Sequence, residues 1–243
     1  MEAVPVPTWK RWLPAALCLG SFGALFFFKP LPQPASYHDF ADQRTLLGIP
    51  HFMDVASNLP FLVAGLYGLY NAAAKKAGWL WLTLALSVFL TCFGSSYYHW
   101  APSDASLFWD RLPMALGFGT LLAIMVQERS KIDRHFYAVL IIAAGVGSLL
   151  YWRWMNDLRF YFLLQAWAVL LVPLLLLLYP DPYRGTGWLW LGIGFYALSK
   201  GFELLDRPLY GALGVVSGHS LKHVAAGIGS WYLFVHVKKR SPR

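Results

Sequence analysis

Two histidines stand four residues apart in His219-Ser220-Leu221-Lys222-His223. On a helix, side chains at i and i+4 lie one above the other on one face, which is how a helix offers two imidazole nitrogens to one metal ion. His99 ends an apolar run elsewhere in the chain and, at matching depth, would supply a third nitrogen. Three protein ligands plus water describe a catalytic zinc, whereas structural zinc is closed by four ligands, commonly with cysteine. Cys18 and Cys92 both sit inside apolar runs, so neither is placed to be the fourth. Water on such an ion ionises near neutral pH and becomes a nucleophile. Ser95 lies one helical turn before His99, and Asp110 lies just across a short loop from it. A carboxylate beside the water can hold it and accept its proton, and a serine hydroxyl can steady the oxyanion formed on an attacked carbonyl.

Each of these residues also has a plainer reading. A histidine in a membrane helix often only hydrogen-bonds to a neighbouring helix. Asp110 can pair with the adjacent Arg111, and Lys200 and Lys222 can snorkel or pair with Glu203 and Asp206. His38, His51, His135 and His236 fall in loops or at helix ends and are read as structural.

The elements that position this chemistry are helices in a bilayer. Of 243 residues, 58% are hydrophobic and only 13% charged, with a mean hydropathy of +0.48; a soluble domain is about one quarter charged. A spanning helix needs roughly 20 mostly apolar residues. Runs of that kind cover 12–29, 51–71, 79–99, 106–127, 135–152, 159–179, 186–205 and 217–237. The fold expected is an all-α polytopic transmembrane helical bundle of eight spans, a seven-helix core plus one extra N-terminal helix. The first run is read as a retained helix, because Lys29-Pro30-Leu31-Pro32 after it offers no small-residue cleavage site. Three segments follow: 1–50 with the N-terminal helix and an interfacial stretch, 51–237 as the core, and 238–243 as a basic cytoplasmic tail.

Orientation is set by lysine and arginine in the loops. With a cytoplasmic N-terminus, that side holds Lys10, Arg11, Lys75, Lys76, Arg129, Lys131, Arg134, Arg184, Lys238, Lys239, Arg240 and Arg243, and the other holds Lys29, Arg44, Arg153, Arg159 and Arg207. Twelve against five favours both termini inside. His99, Asp110, Glu203, Asp206, His219 and His223 then all fall in the non-cytoplasmic leaflet. The net charge of +8 is spread over loops and tails without the patches or motifs of nucleic-acid recognition, so no nucleic-acid partner is expected.

The pattern Ser95-Ser-Tyr-Tyr-His99, then Asp110-Arg-Leu-Pro-Met, then His219-Ser-Leu-Lys-His223 resembles the alkaline ceramidase family, part of a wider superfamily of seven-helix membrane proteins that includes the adiponectin and progestin receptors. Asp54-Val-Ala-Ser57-Asn58-Leu-Pro-Phe is similar to the start of that family's first core helix. The resemblance covers roughly 51–237. It implies a zinc ion on His99, His219 and His223, with Asp110 orienting or deprotonating the water and Ser95 assisting at the carbonyl oxygen. It implies hydrolysis of a lipid amide, ceramide-like, to a sphingoid base and a fatty acid, with a membrane lipid as substrate. It also implies calcium on an acidic segment before the first core helix. Here Asp39, Asp42 and Asp54 offer oxygens, but His51 stands where an acid belongs, and calcium prefers oxygen ligands.

Compact loops and the lack of a eukaryotic retention signal fit a bacterial inner membrane, with the site toward the periplasm. Three rivals stand beside the hydrolase: a non-catalytic zinc-containing seven-helix receptor or signalling module, a haem-binding electron carrier, and a transporter using Asp110, Glu203 and Lys200. Haem wants histidines facing each other across helices, and no paired broken helices support a transporter.

Overall fold

The computed structural model of the protein describes residues 8–130 and 135–243. Lys131 and Arg134, two of the charges used for orientation, lie outside the described residues, as does the side chain of Arg11. The chain is an all-α bundle. Its helices are α1 (Thr8–Ala24), α2 (Phe52–Ala56), α3 (Leu59–Ala74), α4 (Trp79–Trp100), α5 (Asp104–Ser130), α6 (His135–Met155), α7 (Arg159–Leu178), α8 (Gly187–Leu204), α9 (Asp206–Leu213) and α10 (Gly218–Lys239). Among the described residues, five segments are long and apolar enough to cross a bilayer: Phe52–Ala74, Trp79–Trp100, Asp104–Ser130, His135–Met155 and Arg159–Leu178. Large apolar side chains such as Phe27, Tyr70, Leu177 and Leu204 face outward, which suits helices that cross a bilayer.

Packing follows a simple order: α8 lies against α10, α10 against α3, α3 against α4, and α4 against α5, which also carries α6 and α7. Small residues set how closely these helices approach. A Cβ on Gly65 would come within 2.5 Å of the Phe89 backbone, and one on Gly227 within 2.5 Å of Pro60. At the α4–α5 contact the cause is visible in the sequence. Pro113 lies inside α5 and has no N–H, so the carbonyl of Trp109, four residues earlier, loses its helical partner. That carbonyl rests on Gly94 of α4, where any Cβ would collide with it. Gly94→Ala is expected to destabilise the bundle by about 1–3 kcal/mol, read as a lowered unfolding midpoint in detergent; an unchanged midpoint would show that α5 can shift freely.

The larger core cluster includes Phe61, Trp81, Leu84, Ile124, Met125, Leu175 and Phe234. A second cluster joins Tyr98, Leu107, Leu149, Trp152, Leu158 and Tyr161 to Phe40, a residue from outside the helices. After α1 and a 3-10 turn (Leu25–Phe27), residues 28–51 cross the end of the bundle as a strap containing a second 3-10 turn (Ala35–His38). Its first part is tied to the α6–α7 loop: Leu31 N donates to Asp157 Oδ1 (3.1 Å), and Leu158 N donates to Leu31 O (2.8 Å). Arg159 donates to Leu25 O (3.1 Å) and to Phe28 O, which ends α1 on α7. Phe40 and Asp42 of the strap are buried.

The opposite end is closed by charge pairs. Arg129 meets Asp181 at 2.8 Å and Arg240 meets Glu128 at 2.6 Å. Helix α10 runs on through Lys238 and Lys239, and Ser241–Pro242 then pairs antiparallel with Tyr183–Arg184. The basic tail is therefore docked, and its first two residues are helical.

Candidate metal centre

Helix α10 opens at Gly218 with Ser217 as its N-cap, whose Oγ accepts from Ser220 N at 3.0 Å. Asp206, at the start of α9, accepts from His219 N at 2.8 Å through Oδ1 and from Ala41 N of the strap at 3.3 Å through Oδ2. Gly218 permits this junction, since a Cβ there would lie 2.6 Å from the Asp206 Cα. The first turn of α10 is thus fixed against α9, and its i, i+4 face turns toward the end of α4.

There His99, His219 and His223 meet. Each offers one ring nitrogen, and the three nitrogens lie within 4.8 Å of one another. Nε2 of His99 and Nε2 of His219 are 3.2 Å apart. Two nitrogens bound to one tetrahedral ion at 2.0–2.1 Å each stand roughly 3.3 Å apart, so the spacing suits a shared metal ion. His99 is fully buried, and its Nδ1 has no hydrogen-bond partner. This is the one group of three or more His, Cys, Asp or Glu residues with metal-holding spacing among the described residues.

The contacts of Ser57 bear on the tautomer of His223. Ser57 Oγ donates to Asp54 O at 3.1 Å, which uses its only proton. With that proton so placed, its remaining contact, 2.9 Å to His223 Nδ1, is an acceptance from Nδ1–H. That leaves the Nε2 lone pair of His223 free for a ligand role, the usual way an outer partner orients a metal-binding imidazole. Ser57→Ala is expected to weaken metal affinity about 10–100-fold in competition with a chromophoric chelator; unchanged affinity would mean the tautomer is set elsewhere.

Ser95 and His99 are both buried on α4, and Ser95 hydrogen-bonds the carboxylate of Asp110, itself buried at the start of α5. The Gly94–Trp109 contact is what brings these two side chains together. Arg111 does not neutralise Asp110 through an ion pair; its guanidinium lies among the rings of Trp152 (4.6 Å), Tyr37 (5.1 Å) and Tyr161 (5.2 Å). Lys200 and Lys222 both pair with Glu203, at 2.7 and 3.1 Å, while Asp206 takes backbone N–H groups instead. Lys222 Nζ is also 3.4 Å from His219 Nδ1.

Phe40 caps the cluster, with ring centroids 4.6 Å from His99 and 5.1 Å from His219. Neither Phe40 nor Ser57 was singled out for a role from sequence. Ser57 sits in the quoted Asp54–Phe61 segment but reaches its partner across 166 residues, and an aromatic in an irregular strap carries no periodic signal.

The structure does not bring Asp39, Asp42 and Asp54 together. Asp39 pairs with Arg207 at 2.5 Å, Asp42 with Arg44 at 2.6 Å, and Asp54 Oδ1 accepts from Ser220 (2.6 Å) and Ser217 (3.1 Å). Burial pushes the Asp42 pKa up, but the hydrogen bonds and charge of Arg44 outweigh it and hold the carboxyl below its ordinary range. These three carboxylates, each committed to a different protein donor, do not fit a shared calcium ion. The remaining histidines lie outside the cluster, on other partners: His38 joins Tyr98 (2.9 Å) and Asp104 (3.1 Å), His51 meets Asp42 O (3.0 Å), His135 meets Trp79 (3.3 Å), and His236 meets Gly185 O (3.1 Å).

A sequence model of the ceramidase family matches residues 47–183, more than half of the chain. The matched stretch carries Ser57, Ser95, His99 and Asp110, and the geometry adds His219 and His223 from beyond it. No curated protein sequence matches the chain. With its helical architecture, its apolar outer surface and this match, the chain belongs to the ceramidase family.

Proposed function

We propose that the protein is a zinc-dependent intramembrane hydrolase that cleaves the amide bond of a ceramide-like lipid. The observation that carries this reading is the meeting of three imidazoles from α4 and α10 in a member of the ceramidase family. His99, His219 and His223 hold the ion, and three nitrogens with no cysteine suit zinc with an open position. Zinc bound there supplies a Lewis acid that polarises a carbonyl and lowers the pKa of water. Asp110 takes the proton of the attacking water as its oxygen bonds to the carbonyl carbon, and returns it to the nitrogen as the C–N bond breaks. Ser95 donates its one proton to the Asp110 carboxylate and so positions it; once Asp110 has taken the proton of water, the hydroxyl is free to turn to the carbonyl oxygen. Phe40 shields the cluster from bulk water above.

In this reading α1, α8 and α10 cross the bilayer with the five apolar segments, giving eight spans. Residues 1–50 form the N-terminal helix and strap, 51–237 the catalytic core, and 238–243 the cytoplasmic tail. Both termini are cytoplasmic, and the cluster faces the periplasmic side of a bacterial inner membrane. Substrate and products stay in the lipid phase. The test is mass-spectrometric product analysis after incubating purified protein with ceramides and other lipid amides. Equal amounts of amine and fatty acid are expected. Stoichiometric zinc with no cleavage of any amide would instead favour a non-catalytic receptor or signalling module.

A further inference from the structure

Asp42 is 0% exposed, and a buried carboxylate is tolerated only when paired and hydrogen-bonded. Its partner is two residues along the same strap. Arg44 Nε donates to Asp42 Oδ1 at 2.8 Å and Arg44 Nη2 to Oδ2 at 2.6 Å, a two-pronged guanidinium–carboxylate pair. Arg44 N adds a third bond to Oδ1 at 3.0 Å, and Tyr210 of α9 a fourth at 3.3 Å. The same guanidinium reaches off the strap. It donates to Val215 O at 2.7 Å and Gly214 O at 3.4 Å, in the loop joining α9 to α10, and lies 5.5 Å from the Tyr210 ring. His51, at the strap's end, closes on the Asp42 carbonyl. Phe40, two residues before Asp42, is the ring over His99 and His219.

Carboxylate and carbonyl oxygens converging from separate segments are what a hard cation gathers, and here a guanidinium gathers them. We propose that Arg44 is a positioning residue: a cation built into the chain that fastens the strap, and Phe40 with it, over the histidine cluster in place of a bound calcium ion. Arg207 repeats the device at the strap's edge, where it pairs with Asp39 and donates to its carbonyl at 3.3 Å. The strap is therefore closed without calcium. Because this concerns the strap and not turnover, it stands apart from the hydrolase reading.

Hydrogen exchange of the amides of residues 39–46 in the full-length protein tests it. In the wild type, exchange is expected to be the same in millimolar calcium and in a calcium chelator. Arg44→Asn removes the guanidinium and frees the Asp42, Gly214 and Val215 oxygens, so exchange is expected to rise roughly tenfold or more and to slow again when calcium is added. That rescue is a response a merely structural arginine would not create. A wild-type strap that tightens with calcium, an Arg44→Asn strap that exchanges at the wild-type rate, or one that stays loose in calcium would overturn the proposal. Should Arg44→Asn fail to fold, the wild-type comparison still decides, and Arg44→Lys, which keeps charge without the fork, is expected to loosen the strap less.

Discussion

Replacing His219 and His223 together with alanine is expected to lower bound zinc from about one ion per chain to none and to bring lipid-amide hydrolysis down to background. The loss should be specific to the ligand set. Alanine is the best helix former, the Ser217 cap and the Asp206 bond to the first turn involve neither imidazole, and Ser57 keeps its bond to Asp54 O. Helix content by circular dichroism should therefore match the wild type. His99 alone, buried with an unpartnered Nδ1, offers too few donors to retain the ion. Metal content by elemental analysis after chelator-free purification is the readout. Full zinc occupancy in the double variant would remove these residues from the metal site and with them the proposed mechanism.

Asp110→Asn separates proton transfer from metal binding. The two side chains have the same shape, and the amide can still hydrogen-bond Ser95, but it can no longer accept a proton from water. Turnover is expected to fall about 10²–10⁴-fold, the usual worth of a positioned general base, while zinc stays near one per chain and lipid binding is little changed. Single-turnover kinetics beside metal analysis distinguish this from the histidine variant, where metal and rate vanish together. An Asp110→Asn enzyme with wild-type turnover would show that the proton leaves by another route.

Helix boundaries were legible where long apolar runs meet short polar loops. The runs 79–99 and 159–179 correspond to Trp79–Trp100 and Arg159–Leu178, because bilayer thickness leaves little freedom in their length. The pairing of His219 with His223 followed from helical geometry alone. Less visible was α9: its eight residues open with Asp206-Arg207-Pro208, which read as loop, and it is helical because Asp206 and Tyr210 are held by neighbouring segments. The break between α2 and α3 divides a run read from sequence as one span, 51–71. Asn58 Nδ2 and Ser57 Oγ satisfy the Asp54 carbonyl, and Pro60 in the first turn of α3 has no N–H to continue α2, so the helix stops inside the run 51–71. The strap is the largest feature absent from any periodicity. Its course is dictated by single long-range bonds, such as Ala41 to Asp206 across 165 residues, which composition does not announce. Arg44, two residues from Asp42 in the sequence, is recognisable as its partner only in three dimensions, and the proposal that it stands in for calcium could not be read from the sequence.

The cluster also constrains how the protein is made. His99 and His219 face each other across 120 residues of chain. At a synthesis rate of 5–20 residues per second, roughly 6–24 s separate their emergence from the ribosome. Through that interval α4 through α8 are inserting with only one of the three imidazoles in place. A polypeptide that stops before α10 lacks His219 and His223 and so holds at most one of the three clustered imidazoles. In the proposed reading, an ion can be held only once α10 has been made, and hydrolysis is withheld from every shorter precursor.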